Sequence, residues 1–287
     1  MRQDIEQLAE QIRLADAIVI GAGSGLSSAA GYNHYHWTPA MEEYLRDFKA
    51  CYGFASPFAG FYYCYSSPDQ QWAYYTRYIY SMYHLPTGQP YLDLKEIVAG
   101  KDFFVLTTNV DAQCERVFPK DLICDFQGNM EYFQCSQPCH DQLYKNREMI
   151  EQMNRAVRGV ILPSELIPRC PECGRIMVPW VRDDTFLEGA FWKTGVTRYE
   201  DFLSSYLIRQ PGKKVLLLEL GVGEMTPGVI KLPFWSMTEK NSQVFYACLN
   251  QKHSSAPEHL KGRSLYIEGD LAETLSELRE RLGNRSK

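Results

Sequence analysis

The chain has 287 residues, 45% of them hydrophobic and 23% charged, which is enough apolar material for a large core in one domain or two smaller ones. A net charge of −5, with Lys and Arg scattered and grouped only in pairs such as Lys213-Lys214, excludes nucleic acid as the main partner. No apolar run approaches the roughly 20 residues a membrane helix needs, and the opening segment lacks the continuous apolar core of a secretory leader. The expectation is therefore a cytoplasmic protein with no membrane partner, in which nine cysteines point to metal binding and not to disulfides.

In chain order, MRQDIEQLAEQIRLADA reads as an amphipathic helix. The apolar run Ala17 to Ile20 then meets Gly21, Gly23 and Gly25 and a small-residue segment that starts a helix, which makes a strand, a tight turn and a helix. A helix N-terminus offers unpaired N–H groups and a partial positive charge, so a phosphate fits there when no side chain blocks it. The same glycines also serve where a strand merely turns into a helix. The spacing is not GxGxxG, because Leu26, Ser27 and Ser28 follow Gly25 and the next glycine is Gly31.

From Thr38 to about Gly100 there is no strand alternation, and aromatic residues crowd between Tyr52 and Tyr83 at spacings that suit packed helices. They form either a helical core or a substrate-binding wall. Phe103 to Thr108 is a second strand, ending in Asn109, Val110 and Asp111, and Leu122 to Phe126 is a third, ending in Gln127-Gly128-Asn129. A polar helical insert, Asp141 to Val157, lies between two cysteine pairs. Strands return at Val215–Leu220, before Gly221-Val222-Gly223 and a helix through Trp235, at Val244–Leu249, before Asn250, and at Ser264–Ile267, before Glu268-Gly269-Asp270. An amphipathic helix, LAETLSELRERL, closes the pattern. Strands alternating with helices imply an α/β fold with a doubly wound parallel sheet and its functional loops on one edge.

Cys135-x3-Cys139 and Cys170-x2-Cys173 form two close pairs, and four thiolates in two knuckles suit a tetrahedral Zn²⁺. The first pair is one residue wider than usual, and the gap between the pairs is long. With four protein ligands no coordination position stays open, so the metal staples a module and does not catalyse.

In this order and spacing the motifs resemble those of the sirtuin family. Gly23-Ser24-Gly25-Leu26-Ser27 with Gly31 resembles the family's glycine-rich loop, and Thr107-Thr108-Asn109-Val110-Asp111 resembles its TQN-[IV]-D motif. The cysteine pairs sit where sirtuins carry a zinc module. Asn250 ends a strand as the family's adenosine-contacting Asn does, and Gly269-Asp270 resembles the late Gly-Asp of the adenine pocket.

The resemblance spans essentially the whole chain. It implies a Rossmann-like NAD-binding domain (1–37, 101–134 and 181–287), an aromatic helical insert (38–100) and a zinc-binding module (135–180). It also implies NAD as cosubstrate, cleaved at the nicotinamide–ribose bond. Asn109 would orient the ribose, Asp111 would hold the carboxamide, and Gln127 would occupy the third catalytic position. The implied cofactor contacts are Gly23, Ser24, Gly25, Ser27, Tyr35, Thr108, Asn109, Asp111, Gln127, Gly221, Gly223, Asn250 and Asp270, and the implied zinc ligands are Cys135, Cys139, Cys170 and Cys173.

Three departures define the expected chemistry. Sirtuin deacylases carry His-Gly where this chain has Gln127-Gly128, and an amide cannot take up a proton near neutral pH. Asn33-His34-Tyr35-His36 replaces the family's proline-aspartate-phenylalanine-arginine run, offering His34 and His36 either as substitute bases or as structural residues. Gly221-Val222-Gly223-Glu224 replaces a Gly-Thr-Ser phosphate loop. Glu224 would repel a pyrophosphate, so its side chain is expected to turn towards an acceptor.

A sirtuin with these features resembles the macrodomain-associated class M branch. That resemblance implies protein mono-ADP-ribosylation of a lipoyl-carrier acceptor similar to the glycine-cleavage H protein, with a separate macrodomain hydrolase removing the mark. Lysine deacylation with His34 or His36 as base, NAD hydrolysis, and non-enzymatic sensing of NAD are the competing readings.

Overall fold

The computed structural model describes residues 2–224, 227–252 and 257–283. Helix α1 (Arg2–Leu14) buries Ile5, Leu8, Ala9 and Ile12, one face at helical spacing. Strand β1 (Ala17–Ala22) is buried along its whole length, as a central parallel strand must be, and runs through Gly23 into the short helix α2 (Ser24–Ala29). Three helices then start by one device, a Ser or Thr whose side chain accepts a backbone N–H, followed by a proline in the first turn. They are α3 (Pro39–Tyr52, capped by Thr38), α4 (Pro57–Phe61, Ser56) and α5 (Pro68–His84, Ser67).

The chain continues through α6 (Gln89–Ile97), β2 (Asp102–Thr107), α7 (Gln113–Val117), β3 (Ile123–Asp125) and β4 (Gly128–Cys135). Next come β5 (Tyr144–Lys145), α8 (Arg147–Ala156), β6 (Met177–Val181) and α9 (Ala190–Ser204). The last elements are β7 (Val215–Leu220), α10 (Lys231–Lys240), β8 (Val244–Asn250), β9 (Ser264–Glu268) and α11 (Leu271–Gly283).

Six strands form one sheet in the order β3-β2-β1-β7-β8-β9, with every neighbouring pair parallel. The order in which successive strands are added reverses between β1 and β7, the switch point beyond which ligands bind in doubly wound folds. Leu8, Tyr91, Leu94, Val117, Leu275 and Leu278 from α1, α6, α7 and α11 cover one face. Ile230 and Phe234, and Tyr199 and Phe202 of α9 packed on Phe104 of β2, cover the other. On that face the buried Glu219 of β7 accepts from Lys231 Nζ at 2.5 Å and Tyr246 Oη at 2.7 Å, so its charge is paired and hydrogen-bonded.

A second, antiparallel sheet has the order β5-β4-β6. Its core includes Phe48, Trp72, Tyr74, Ile79, Phe133, Ile150 and Met177, with the Trp72 ring edge-on to Phe133 at 5.1 Å. The aromatic helices and the cysteine segment thus share one core, and α6 packs instead with α7 and α11.

Two features carry no sequence expectation. Strand β4, which lies mostly within the 101–134 span of the expected Rossmann-like domain, hydrogen-bonds to β5 and β6 of the smaller sheet. Helix α9 carried no expectation; its Gly195 packs near Cys124, 3.7 Å from where a β-carbon would sit. Among the described residues, no helix is long and apolar enough to cross a membrane.

Candidate active site and metal centre

The loops after β1 and β7 meet backbone to backbone. Gly23 N–H donates to Leu220 O at 2.9 Å, and Gly25 N–H donates to Gly221 O at 2.8 Å. A β-carbon on Gly23 would lie 2.6 Å from Val222 Cα, and one on Gly25 would lie 2.6 Å from Gly221 Cα. Gly221 itself has φ +60°, a conformation side chains disfavour. These three glycines serve close approach of two loops, and Gly223 differs in being exposed with open space about it.

Two cavities open along this carboxyl edge. One, of 330 Å³, is lined by Gly25, Asn33, His36, Gly221, Asn250 and Asp270 among others. The other, of 410 Å³, is lined by His34, Phe58, Phe61, Tyr62, Tyr78, Thr108, Asn109, Gln127 and Glu224 among others. Ser24, Tyr35 and Gly223 belong to both walls.

Asn109 is held from two sides. Its N–H donates to Thr107 Oγ1 at 3.0 Å and its Nδ2 donates to Gly23 O at 2.9 Å, which ties the end of β2 to the glycine turn. Thr108 N–H donates to Ala22 O at 3.0 Å across the same junction. Ser27 is buried against Tyr91, with Oγ and Oη 3.3 Å apart, and lines neither cavity. Asn250 Nδ2 donates to Val222 O at 3.0 Å, and Asp270 accepts Glu273 N–H at 3.0 Å, so the latter caps α11 while facing the smaller cavity.

Gln127 sits on the turn between β3 and β4. Its carbonyl accepts Arg182 N–H at 3.0 Å, and the Arg182 guanidinium lies over Phe186 at 4.2 Å and Trp192 at 5.2 Å while donating to Phe126 O at 3.3 Å. That cage fixes the turn. Beneath it Asn129 Nδ2 donates to Glu115 at 2.8 Å and to Asp125 at 3.1 Å. Burial, followed by the neighbouring Glu115 carboxylate, pushes the Asp125 carboxyl well above its ordinary range.

Asp111 is almost fully buried and does not line the larger cavity. Its Oδ1 accepts Gln113 N–H at 3.1 Å, while Oδ2 has no hydrogen-bond partner and lies 3.8 Å from His34 Nε2. Burial alone would raise its pKa, but His34, with smaller contributions from Ser27 and the Gln113 N–H, holds the carboxyl below its ordinary value. Ala112, which follows, adopts φ +59°, and this left-handed residue turns the chain from Asp111 into α7.

The aromatic segment is both core and wall. Phe48, Trp72 and Tyr74 are buried, and Phe58, Phe61, Tyr62 and Tyr78 face the cavity. Of the two histidines, His34 lines the larger cavity and His36 the smaller. Sequence reasoning did not bring His34, Tyr78 and Asp111 together. The histidine in the departed Asn33-His34-Tyr35-His36 run was the available signal.

Away from the cleft, the sulfurs of Cys135, Cys139, Cys170 and Cys173 all lie within 4.8 Å of one another, with Cys135–Cys173 and Cys139–Cys170 each at 3.6 Å. Four thiolates about 2.3 Å from a central Zn²⁺ stand roughly 3.8 Å apart, so the cluster fits a closed structural zinc site. A hydrogen bond from the Arg175 backbone draws the Cys173 thiol down to about 6, while burial and the three neighbouring sulfurs push the Cys139 thiol up to about 12.

A switch-point cleft beside a cysteine-bearing small domain is the architecture of the Sir2 class, and solved Sir2 structures superpose along almost the whole chain. A Sir2 homologue in complex with NAD matches with a TM-score of 0.64 at 16% identity, covering 98% of this chain and 95% of that one. Sir2 bound to an acetylated peptide matches with a TM-score of 0.64 at 15% identity, covering 97% of this chain and 98% of that one. No family model matches the sequence.

A protein ADP-ribosyltransferase of Staphylococcus aureus (strain Mu50) is 34% identical over 271 residues, 93% of this chain and 84% of its own length. A probable bifunctional ADP-ribose hydrolase/ADP-ribosyltransferase of Fusarium oxysporum f. sp. cubense is 28% identical over 235 residues, 78% of this chain and 38% of its own length. The chain belongs to the sirtuin-like protein ADP-ribosyltransferases.

Proposed function

We propose that the chain binds NAD⁺ along the switch-point cleft, cleaves the nicotinamide–ribose bond and transfers ADP-ribose to a protein acceptor. The observation that carries this reading is Gln127. It lines the same cavity as Asn109, at the end of the third strand, and its amide donates and accepts hydrogen bonds but takes up no proton. A deacylase route that depends on a base at this position is therefore closed, which favours transfer to an acceptor.

The residues suit the ligand. Side chains at Gly23 and Gly25 would fill the loop contact that shapes the cleft floor, and the smaller cavity, with Asn250 and Asp270, fits an adenosine moiety. NAD⁺ supplies an activated ribosyl group, because nicotinamide departs as a neutral pyridine. Asn109, fixed by the Gly23 carbonyl, orients the ribose. Asp111, buried behind the cavity wall, carries a charge that favours the positive charge that builds on the sugar. Gln127 hydrogen-bonds a ribose hydroxyl, and Ser24, Tyr35, Thr108, Gly221 and Gly223 line the path between the two halves. Ser27 acts from behind through Tyr91. Cys135, Cys139, Cys170 and Cys173 hold Zn²⁺ as a structural staple.

The acceptor side of the cavity is the wall of Phe58, Phe61 and Tyr62, an apolar channel that suits a lipoyl-type arm on a carrier protein. The hydrolase named in the Fusarium relative supports a companion activity that removes ADP-ribose, with a macrodomain protein in that role. The reaction belongs to the cytoplasm, where NAD⁺ is present and the cysteines stay reduced.

The test is incubation with adenine-labelled NAD⁺ in a cell extract, followed by denaturing electrophoresis. A discrete labelled protein is expected, absent with Asn109→Ala although that variant melts like the parent. Turnover of an acetyl-lysine peptide without a labelled band would establish a deacylase instead, and rapid nicotinamide release without a labelled band would establish a hydrolase.

A further inference from the structure

Transfer to a protonated nucleophile leaves a proton to be taken up, and Gln127 cannot take it. Two elements bring an alternative to the same cavity, Tyr78 from α5 and His34 from the loop after α2, and Asp111, from the loop after β2, is buried behind His34. The Tyr78 hydroxyl lies 2.6 Å from His34 Nδ1, and His34 Nε2 lies 3.8 Å from Asp111 Oδ2, the buried oxygen with no hydrogen-bond partner. We propose that Tyr78, His34 and Asp111 form a proton relay in which Tyr78 meets the acceptor nucleophile, His34 stores the proton and Asp111 backs the histidine. This inference rests on the NAD⁺-cleaving reading above.

The tautomer follows from the contacts. Burial raises the Tyr78 pKa well above its ordinary value, so the phenol keeps its proton and donates it to Nδ1. With Nδ1 accepting from Tyr78, the other ring nitrogen, Nε2, carries the proton and faces Asp111 Oδ2 at 3.8 Å, close enough for the carboxylate to offset an imidazolium charge. As the nucleophile bonds to C1′ of the ribose, its proton passes to Tyr78 Oη while the proton of Tyr78 passes to His34 Nδ1. The C1′–N bond breaks with its electron pair going to the nicotinamide nitrogen. The imidazolium formed faces a carboxylate, its charge is offset, and the proton returns to solvent afterwards. His36 has no part in this, because it lines the smaller cavity.

The experiment compares two reactions of the full-length protein and its Tyr78→Phe and His34→Gln variants. Exchange of labelled nicotinamide into NAD⁺ reads bond cleavage without an acceptor, and methanolysis of NAD⁺ reads capture by a nucleophile that must lose a proton. The relay predicts that both variants lower the ratio of methanolysis to exchange about 100-fold, the usual effect of losing a general base. Azide, which has no proton to lose, should restore capture in both. A ratio unchanged in either variant, or capture that azide leaves depressed, would overturn the relay and leave the two residues a structural role. No exchange in the parent protein would defeat NAD⁺ cleavage itself, a result distinct from the others.

Discussion

Gly25→Ala tests whether the two switch-point loops must touch. The added methyl would sit 2.6 Å from Gly221 Cα and 2.9 Å from Gly221 O, whereas ordinary carbon contacts begin near 3.5 Å. Both obstacles are backbone, so no side chain can rotate away, and the loops must part by nearly an ångström. Overpacking of this kind costs about 1–3 kcal/mol, and breaking the Gly25–Gly221 hydrogen bond adds about 1 kcal/mol. A loss of about 3 kcal/mol should lower the melting temperature by roughly 6–10 °C in a chain of this size. Because the contact forms the floor of the cleft, KM for NAD⁺ should rise in the same variant.

Gly223→Ala is the control, since a β-carbon there meets nothing within 4 Å among the described residues and its stability should stay within about 0.5 kcal/mol. Calorimetry and nicotinamide-release kinetics on both variants decide the matter. If Gly25→Ala melts within 2 °C of the parent, as Gly223→Ala should, the close-approach argument is wrong.

The metal and the acid pair give two further expectations. Cys170→Ser should release zinc and melt lower by several degrees, because metal affinity is folding energy for the module built on β4 and β6; absorption spectrometry that finds no zinc in the parent would refute the cluster reading. Asp125, whose pKa is raised in the fold, keeps its proton after the unfolded chain has lost it. Its contribution is therefore fully present below about pH 4 and is lost as pH rises towards the folded value, at about 1.4 kcal/mol per unit. Asp125→Asn should flatten the fall in stability between pH 5 and 7 relative to the parent, and parallel curves for the two proteins would show that the pair does not hold a proton.

The parallel sheet was legible because its strands are short apolar runs bounded by turn residues, as at Ala17–Ile20 and Val215–Leu220. The small antiparallel sheet was not, since β4 begins directly after the β3 turn at Gly128 and joins residues nearly fifty positions later in β6, a pairing that no local pattern announces. Asn109, Gln127 and the cysteine pairs could be placed from motif spacing. Ser27 could not, because the helical turn that buries it against Tyr91 depends on α6. The meeting of Tyr78 with His34 is of the same kind, since it needs α5 to pack across the mouth of the cleft.

The pairing of β1 with β7 also governs when this cleft can exist. Ala17 lies beside Val215, so the central strand emerges from the ribosome some two hundred residues before one of its two neighbours. Until β7 arrives, β1 and β2 form a ribbon with an open apolar edge, the kind of edge that recruits other chains. The glycine turn after β1 likewise has no floor to rest on before Gly221 is made. High sequence separation makes such assembly slow, and a nascent chain truncated before Val215 holds half a nucleotide site and an unprotected strand. Affinity for the nucleotide in this protein is thereby a late-acquired property, one that marks a finished chain.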